Sequence, residues 1–199
     1  TVTGADDDLV DGTITSTVTV AVDDVNSSDG FDSLIDQIVS VDTTDDDVAG
    51  FTIVELDGST EVDEAGSTDT FTVVLDAQPT SDVVMSTASN DTSEATTTNT
   101  LTFTPSNWDT PQTVTVTGID DNIIDGTVTS SVVISIIDAN SDDDFDAIAD
   151  QTVSVDTADN DAPGFTIEET DAATEVDESG STDTFTVVLD AQPTSDVVL

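Results

Sequence analysis

Lysine, arginine, histidine, cysteine and tyrosine are all absent from these 199 residues, and one tryptophan and seven phenylalanines are the only aromatic side chains. Each absence closes off a class of chemistry. With 45 Asp and Glu, a formal net charge of −45 and no cationic side chain, no side-chain ion pair can form. Nucleic acid and anionic membranes are excluded as partners, because binding them rests on Lys and Arg. Without cysteine there is no disulfide, and thiols say nothing of the redox compartment. Without His, Cys, Lys or Tyr, catalysis is reduced to carboxylate chemistry such as glycoside hydrolysis. That chemistry needs a proton-holding acid facing a second carboxylate across a cleft. Nothing in the sequence marks such a cleft, and the chain reads as a non-enzyme. A lysine-based isopeptide crosslink is ruled out by the same composition. No run approaches the ~20 apolar residues of a membrane-spanning helix, so direct membrane insertion is not expected. No signal peptide is visible, and the chain starts within a strand pattern.

High charge with few aromatics is also the composition of disordered chains. Against disorder stand TFTVVL (70–75), LTFTP (101–105), TVTVTG (113–118) and SSVVISII (130–137). Their period of two, in Val, Ile, Thr and Phe, is that of half-buried strands. The carboxylates then need their own account. Two of them about 4 Å apart repel by roughly 4 kcal/mol at an effective dielectric near 20, so each cluster opposes folding unless cations enter it.

The chain repeats itself. Residues 51–85 recur at 165–199 with 29 of 35 positions identical, and residues 1–50 recur at 115–164 with 28 of 50 identical, both at an offset of 114. A single 114-residue period without insertions is a tandem array. Residues 50–163 are one complete repeat, residues 1–49 the C-terminal part of a preceding one, and residues 164–199 the N-terminal part of a following one. Half a sandwich would leave open edges and a split core, so the chain is expected to be a window from a longer protein. The rival expectation is that part-repeats complement one another between copies in a fibre. However, 49 plus 36 residues fall 29 short of a repeat.

Seven strands are predicted in the complete repeat: A, broken into 51–55 and 60–63; B, 69–75; C, 82–88; D, 99–104; E, 113–119; F, 128–137; and G, 151–156. Seven short strands punctuated by Pro, Gly, Asn and Asp predict an all-β chain of immunoglobulin-like antiparallel β-sandwich modules. Thr15, Thr17 and Thr19 mark a wet face in the first copy of strand F. Val18, Val20 and Val22 then point inward, as do Val132, Ile134 and Ile136 in the second. Phe71, Val73, Leu75, Leu101, Phe103, Val114, Val116, Val153 and Val155 complete the expected core.

If the strands run alternately up and down, the A–B, C–D and E–F loops share a pole with the exit from strand G. Those segments carry Glu64; Asp91 and Glu94; Asp120, Asp121 and Asp125; and Asp156, Asp159 and Asp161. The next repeat starts at this pole, at Gly164. Oxygen-only donors favour a hard cation, and the 6 to 8 oxygens of Ca2+ suit irregular loops better than the octahedron of magnesium. In the other copies the acids recur as Asp6, Asp7, Asp11, Asp42 and Asp45, with Asp47 beside them, and as Glu178. A second candidate lies at the opposite pole, in SDDDFDAIAD (141–150), where Asp142, Asp144, Asp146 and Asp150 have the spacing of a calcium loop. The first copy has Ser28 and Gly30 at two of these positions. This F–G loop is expected to face the preceding repeat's cluster.

The stretches V-D-E-x-G (62–66), F-T-V-V-L (71–75), L-T-F-T-P-S-N-W-D-T-P-Q-T-V-T-V-T-G-I-D-D (101–121) and the closing Asp cluster resemble a Calx-beta domain. They are similar in particular to the acidic tandem Calx-beta-like repeats of large bacterial surface proteins. The resemblance implies a seven-stranded sandwich binding several calcium ions at its distal loops. It puts ligands on Glu64, on Asp120, Asp121 and Asp125, and on Asp159 and Asp161 with Asp156 close by. Its C–D acid falls on Asp91. Asn160 interrupts what can be a continuous acidic run.

Trp108, between Pro105 and Pro111, reads as a ring capping the core, with a sugar-stacking platform as the alternative. The threonine-rich TSEATTTNT (92–100) reads as a wet strand face, with O-linked sugar as the alternative. Asn90-Asp91-Thr92 matches a weak N-glycosylation sequon. The expected function is a structural calcium-binding array of an extracellular or cell-surface protein, a stalk, adhesin shaft or filament in which ions rigidify the junctions. Its partners are neighbouring repeats. The alternatives are a calcium-dependent module binding a glycan or surface protein, and acidity adapted to high salt without specific sites.

Overall fold

The computed structural model describes residues 1–98 and 100–199. Thirteen strands are defined among them: β1 (Ile14–Val20), β2 (Gln37–Thr43), β3 (Phe51–Glu55), β4 (Thr60–Asp63), β5 (Thr68–Leu75), β6 (Val83–Ser89), β7 (Ala95–Thr97), β8 (Thr100–Phe103), β9 (Gln112–Gly118), β10 (Val128–Ile136), β11 (Gln151–Ala158), β12 (Phe165–Glu169) and β13 (Phe185–Leu189). One 3-10 turn, Asp138–Asn140, is the only helical element among the described residues, and no helix is long and apolar enough to cross a membrane.

Residues 50–163 form a sandwich of two sheets, one of order β4-β11-β10-β6-β8 and one of order β3-β5-β9-β7. The broken first strand serves both. Gly58, at φ 82°, turns the chain so that β3 pairs antiparallel with β5 while β4 runs parallel to β11 in the opposite sheet. Register follows the alternation. In β5, Phe71, Val73 and Leu75 point into the core; in β10, Val132 and Ile134 do, with Ile136 half-buried at the edge. The six other expected core residues, Leu101, Phe103, Val114, Val116, Val153 and Val155, are also buried, joined by Phe51, Val62, Val83, Met85, Ala95 and Phe145. Trp108 packs, half-buried, against this cluster.

Two elements differ from the expectation. A short strand, β7, lies within the threonine-rich connection and pairs with β9, burying Ala95 completely. Three residues without alternating apolar positions carry no periodic signal, so only pairing with β9 defines them as strand. The start assigned to strand D, Asn99, lies outside the described residues; the strand itself spans Thr100–Phe103. Strand G also runs two residues further than expected, to Ala158, because its end is held by the parallel pairing with β4.

On either side lie two-stranded ribbons, β1 with β2 and β12 with β13. The β1–β2 register repeats that of β10–β11 position for position, from Ile14↔Thr43 against Val128↔Thr157 to Val20↔Gln37 against Ile134↔Gln151. Burial does not repeat. Val18 and Val20 are exposed and Val22 half-buried, whereas Val132 and Ile134 are fully buried. A strand's inward face becomes a core only where a second sheet covers it.

Candidate metal centre

Four segments converge at one end of the sandwich. The turn after β4 brings Glu64, the connection before β7 brings Glu94, the loop after β9 brings Asp121 and Asp125, and the chain leaving β11 brings Asp159 and Asp161. Glu64 is 1% exposed and Glu94 6%. Oxygens of Glu64, Asp121 and Asp161 lie within 4.8 Å of one another, as do those of Glu94, Asp121 and Asp125. Asp121 belongs to both triads. The connections that carry these acids are pinned by main-chain bonds: the Glu64 amide donates to Ala158 O at 3.1 Å and the Ile119 amide to Glu94 O at 2.8 Å.

The electrostatics of the group are adverse in the absence of a cation. Burial pushes the Glu94 carboxyl up, and Asp125, Asp91, Asp121 and Glu64 push it further. Glu64 is raised first by burial, is partly relieved by the Asn160 amide at 3.2 Å, and is raised again by Asp159, Asp121 and Asp125. Asp161 is raised by desolvation and then by Asp159, Asp120, Asp121 and Asp125. Glu94 Oε2 and Asp161 Oδ2 are buried without any hydrogen-bond partner. An unpartnered buried carboxylate oxygen costs about 1–3 kcal/mol or more, and a metal ion is one partner that acceptor-only groups can take. The donor set is entirely oxygen, so the cluster fits a hard cation.

Not every acid expected at this pole joins the triads. Asp159 uses both oxygens on main-chain amides, Oδ2 accepting from Asp125 at 3.1 Å and Gly126 at 2.8 Å and Oδ1 from Asp161. The bonds from Gly126 and Asp161 lead in holding its pKa below the ordinary carboxylate value. It shapes the loop around the triads. Asp120, exposed, accepts from Asn160 Nδ2 at 3.2 Å. Asp156 faces outward from β11 and accepts the Thr129 hydroxyl at 2.6 Å, as Asp42 accepts that of Thr15 at 2.7 Å. In an alternating strand Asp156 is out of phase with the buried Val155 and Thr157, which puts it on the outer face of the sheet. Asp91 accepts the Ser93 hydroxyl and amide through Oδ1, bonds that hold its pKa low. D-x-S is a local turn pattern legible in sequence. Glu94, three residues on, is the buried acid of that connection.

The other copies show parts of the same arrangement. Asp6, Asp7, Asp11, Asp45 and Asp47 line a cleft of about 230 Å³, and Asp45 accepts the amides of Asp11, Gly12 and Asp47 just as Asp159 accepts those of Asp125, Gly126 and Asp161. Asp11 is raised by desolvation, Asp7 and Asp45, and Asp47 by desolvation, Asp45, Asp46, Asp8 and Asp6. Glu178, the counterpart of Glu64, is exposed.

In the F–G loop Asp146 Oδ1 is buried without a hydrogen-bond partner, whereas Asp142 is fully bonded. Asp142 is 4% exposed and accepts from the Thr80 hydroxyl, the Ser81 amide and hydroxyl, and the Asp144 amide. Burial raises this carboxyl, yet those bonds more than offset it and leave its pKa below the ordinary value. Asp142 ties the F–G loop to the B–C turn and, with Phe145 inserted in the core, closes that end of the sandwich. The preceding repeat's loop meets the B–C turn, at Gln78.

No protein-family model and no curated protein matches this sequence. Among solved structures it is similar to domains 1–6 of the surface layer protein SbsC, at 13% identity and a TM-score of 0.42, over 89% of this chain and 25% of that one. It is also similar to SbsC domains 4 and 5, at 16% identity and 0.37, over 62% and 63%. A third likeness is to the E. coli chaperone DraB, at 8% identity and 0.41, over 59% of each chain. The matches span less than two thirds of each of these three chains. At this distance the fold assignment rests on the sheet order described above.

Proposed function

We propose that the chain is a segment of a structural array of calcium-binding sandwich repeats, of Calx-beta type, in an extracellular surface protein. The observation that supports this most is Glu94: a carboxylate 6% exposed, one oxygen unpartnered, set among acids from three other segments and with no cationic side chain in the protein. A folded chain tolerates such a group where a cation completes it. Glu64, Glu94, Asp121, Asp125 and Asp161 would hold calcium. When bound, the ion supplies positive charge and fixed coordination at the end where the next repeat begins. Affinity shown only by the folded form adds to folding stability. Calcium outside a cell would therefore stiffen the array, whose immediate partners are its own neighbouring repeats.

Thermal unfolding of the 199-residue chain tests this. Millimolar calcium is expected to raise the midpoint strongly over chelator, and more than magnesium or charge-matched sodium does. Equal stabilisation by sodium would reduce the clusters to a solvated acidic surface.

A further inference from the structure

The loop that carries Asp121 and Asp125 has a second face. Its middle residues, 122–124, reach the following repeat, where the Gln192 amide donates to Asn122 O at 2.6 Å and the Ile124 amide to Gln192 O at 3.2 Å. One period earlier the same clasp forms. The Gln78 amide donates to Asp8 O at 2.7 Å and the Val10 amide to Gln78 O at 3.0 Å. Both are parallel bridges, Ile123↔Gln192 and Leu9↔Gln78. The receiving residue is itself anchored, since Gln78 Nε2 donates to Pro105 O at 2.7 Å. Apolar contact accompanies the clasp. Val10 and Ala49 pack against the core of the complete repeat, and Ile124 lines an apolar cavity of about 320 Å³ with Phe165, Leu189 and Ala191.

The clasp segment takes its shape from the carboxylate cluster. Asp121 Oδ1 accepts the Ile123 amide at 2.6 Å, and Asp159 Oδ2 accepts the amides of Asp125 and Gly126. The first copy is bracketed in the same way, by Asp7 on Leu9 at 3.1 Å and by Asp45 on Asp11 and Gly12. Asp121 thus lies in both carboxylate triads and holds the start of the docking segment.

We infer that the B–C turn of each repeat is the docking surface for the E–F loop of the repeat before it, and that cation occupancy of the preceding repeat's cluster controls this docking. This rests on the calcium reading above and adds a direction to it. A cation that fixes Asp121 and Asp125 fixes residues 122–124, and so orders the following repeat. Coupling of this kind is reciprocal, so docking must also tighten the cation site by the same factor.

Amide hydrogen exchange on the whole 199-residue chain, in calcium and in chelator, tests the coupling. Calcium should slow exchange at Gln192 by about 5- to 150-fold, the usual range for coupled sites. The double variant Glu64→Gln/Glu94→Gln should abolish that change at Gln192. Gln192→Pro, which removes the donated amide without touching a carboxylate, should weaken calcium binding by the same factor. If calcium protects Ile119, next to the cluster, but leaves Gln192 unchanged, the coupling is overturned and the metal reading stands. If Gln192→Pro leaves calcium affinity unchanged, the coupling is likewise overturned. If calcium changes no amide, both fail.

Discussion

Glu94 is the residue on which the cluster turns. Its side chain is buried, burial and then the charges of Asp125, Asp91, Asp121 and Glu64 raise its pKa, and one oxygen is unpartnered, so its charge destabilises the metal-free fold. Glu94→Gln should therefore act with opposite signs in two conditions. In chelator it should raise stability by about 1–2 kcal/mol, through relief of one close like-charge contact and one unsatisfied acceptor. In calcium it should weaken binding by roughly tenfold or more, at least what disturbing an outer-sphere partner costs. Denaturant midpoints in the two buffers, with a calcium titration, read both. Asp142 is the opposite kind of buried acid, fully bonded, with a pKa held below the ordinary 3.8. A depressed carboxyl contributes stability above its unfolded value that is lost as pH falls through the folded one. Asp142→Asn should cost about 2 kcal/mol at neutral pH, where its charge-assisted bonds are intact. The difference from the parent should shrink as pH drops below about 3.8.

At the scale of the element, the close approach of β9 to the turn after β4 sets the site. A side-chain carbon on Gly118 would lie 2.0 Å from the main-chain oxygen of Asp63, the residue before Glu64. Gly118→Ala must push that turn away, and overpacking against backbone rather than a flexible side chain should cost about 3 kcal/mol. The variant should also lose calcium affinity, because Glu64 moves with the turn; urea unfolding and calorimetric titration together check this. The ribbons offer a second comparison. β1–β2 and β10–β11 share one register, but only the latter is covered by an opposing sheet. A two-stranded ribbon alone is marginal in water. Amides of β10–β11 should exchange slower than their β1–β2 counterparts by roughly two orders of magnitude or more, measured at matched positions such as Val132 and Val18.

Across the whole molecule, a formal charge of −45 without a single cationic side chain sets self-repulsion against folding. Self-repulsion destabilises a compact chain of one sign. Only eight of the 45 acids lie within strands; most sit in the loops and connections, and some of these gather at the ends where repeats meet. There they lie beside the main-chain clasps, so the least favourable electrostatics coincide with the contacts between repeats. The calcium-dependent rise in unfolding midpoint expected above follows from that coincidence.

Local and repetitive properties were legible without the structure. The 114-residue period, the strand parity, the nine further core residues and the oxygen-only donor set all depend on short-range alternation or on composition, which a chain carries wherever it goes. The convergence of the A–B, C–D and E–F loops was also readable, because antiparallel order alone fixes which connections share an end. Which acid in each loop turns inward was not. Asp91 and Glu94 share one connection, yet local bonds to Ser93 keep Asp91 out while pairing of β7 with β9 accompanies the burial of Glu94. Asp156 matches the acid pattern but lies out of phase with the buried positions of its strand. The tertiary structure also decided which copy of strand F becomes core and where residues 122–124 dock. Burial and docking depend on what a second, distant segment covers, and no local pattern encodes that.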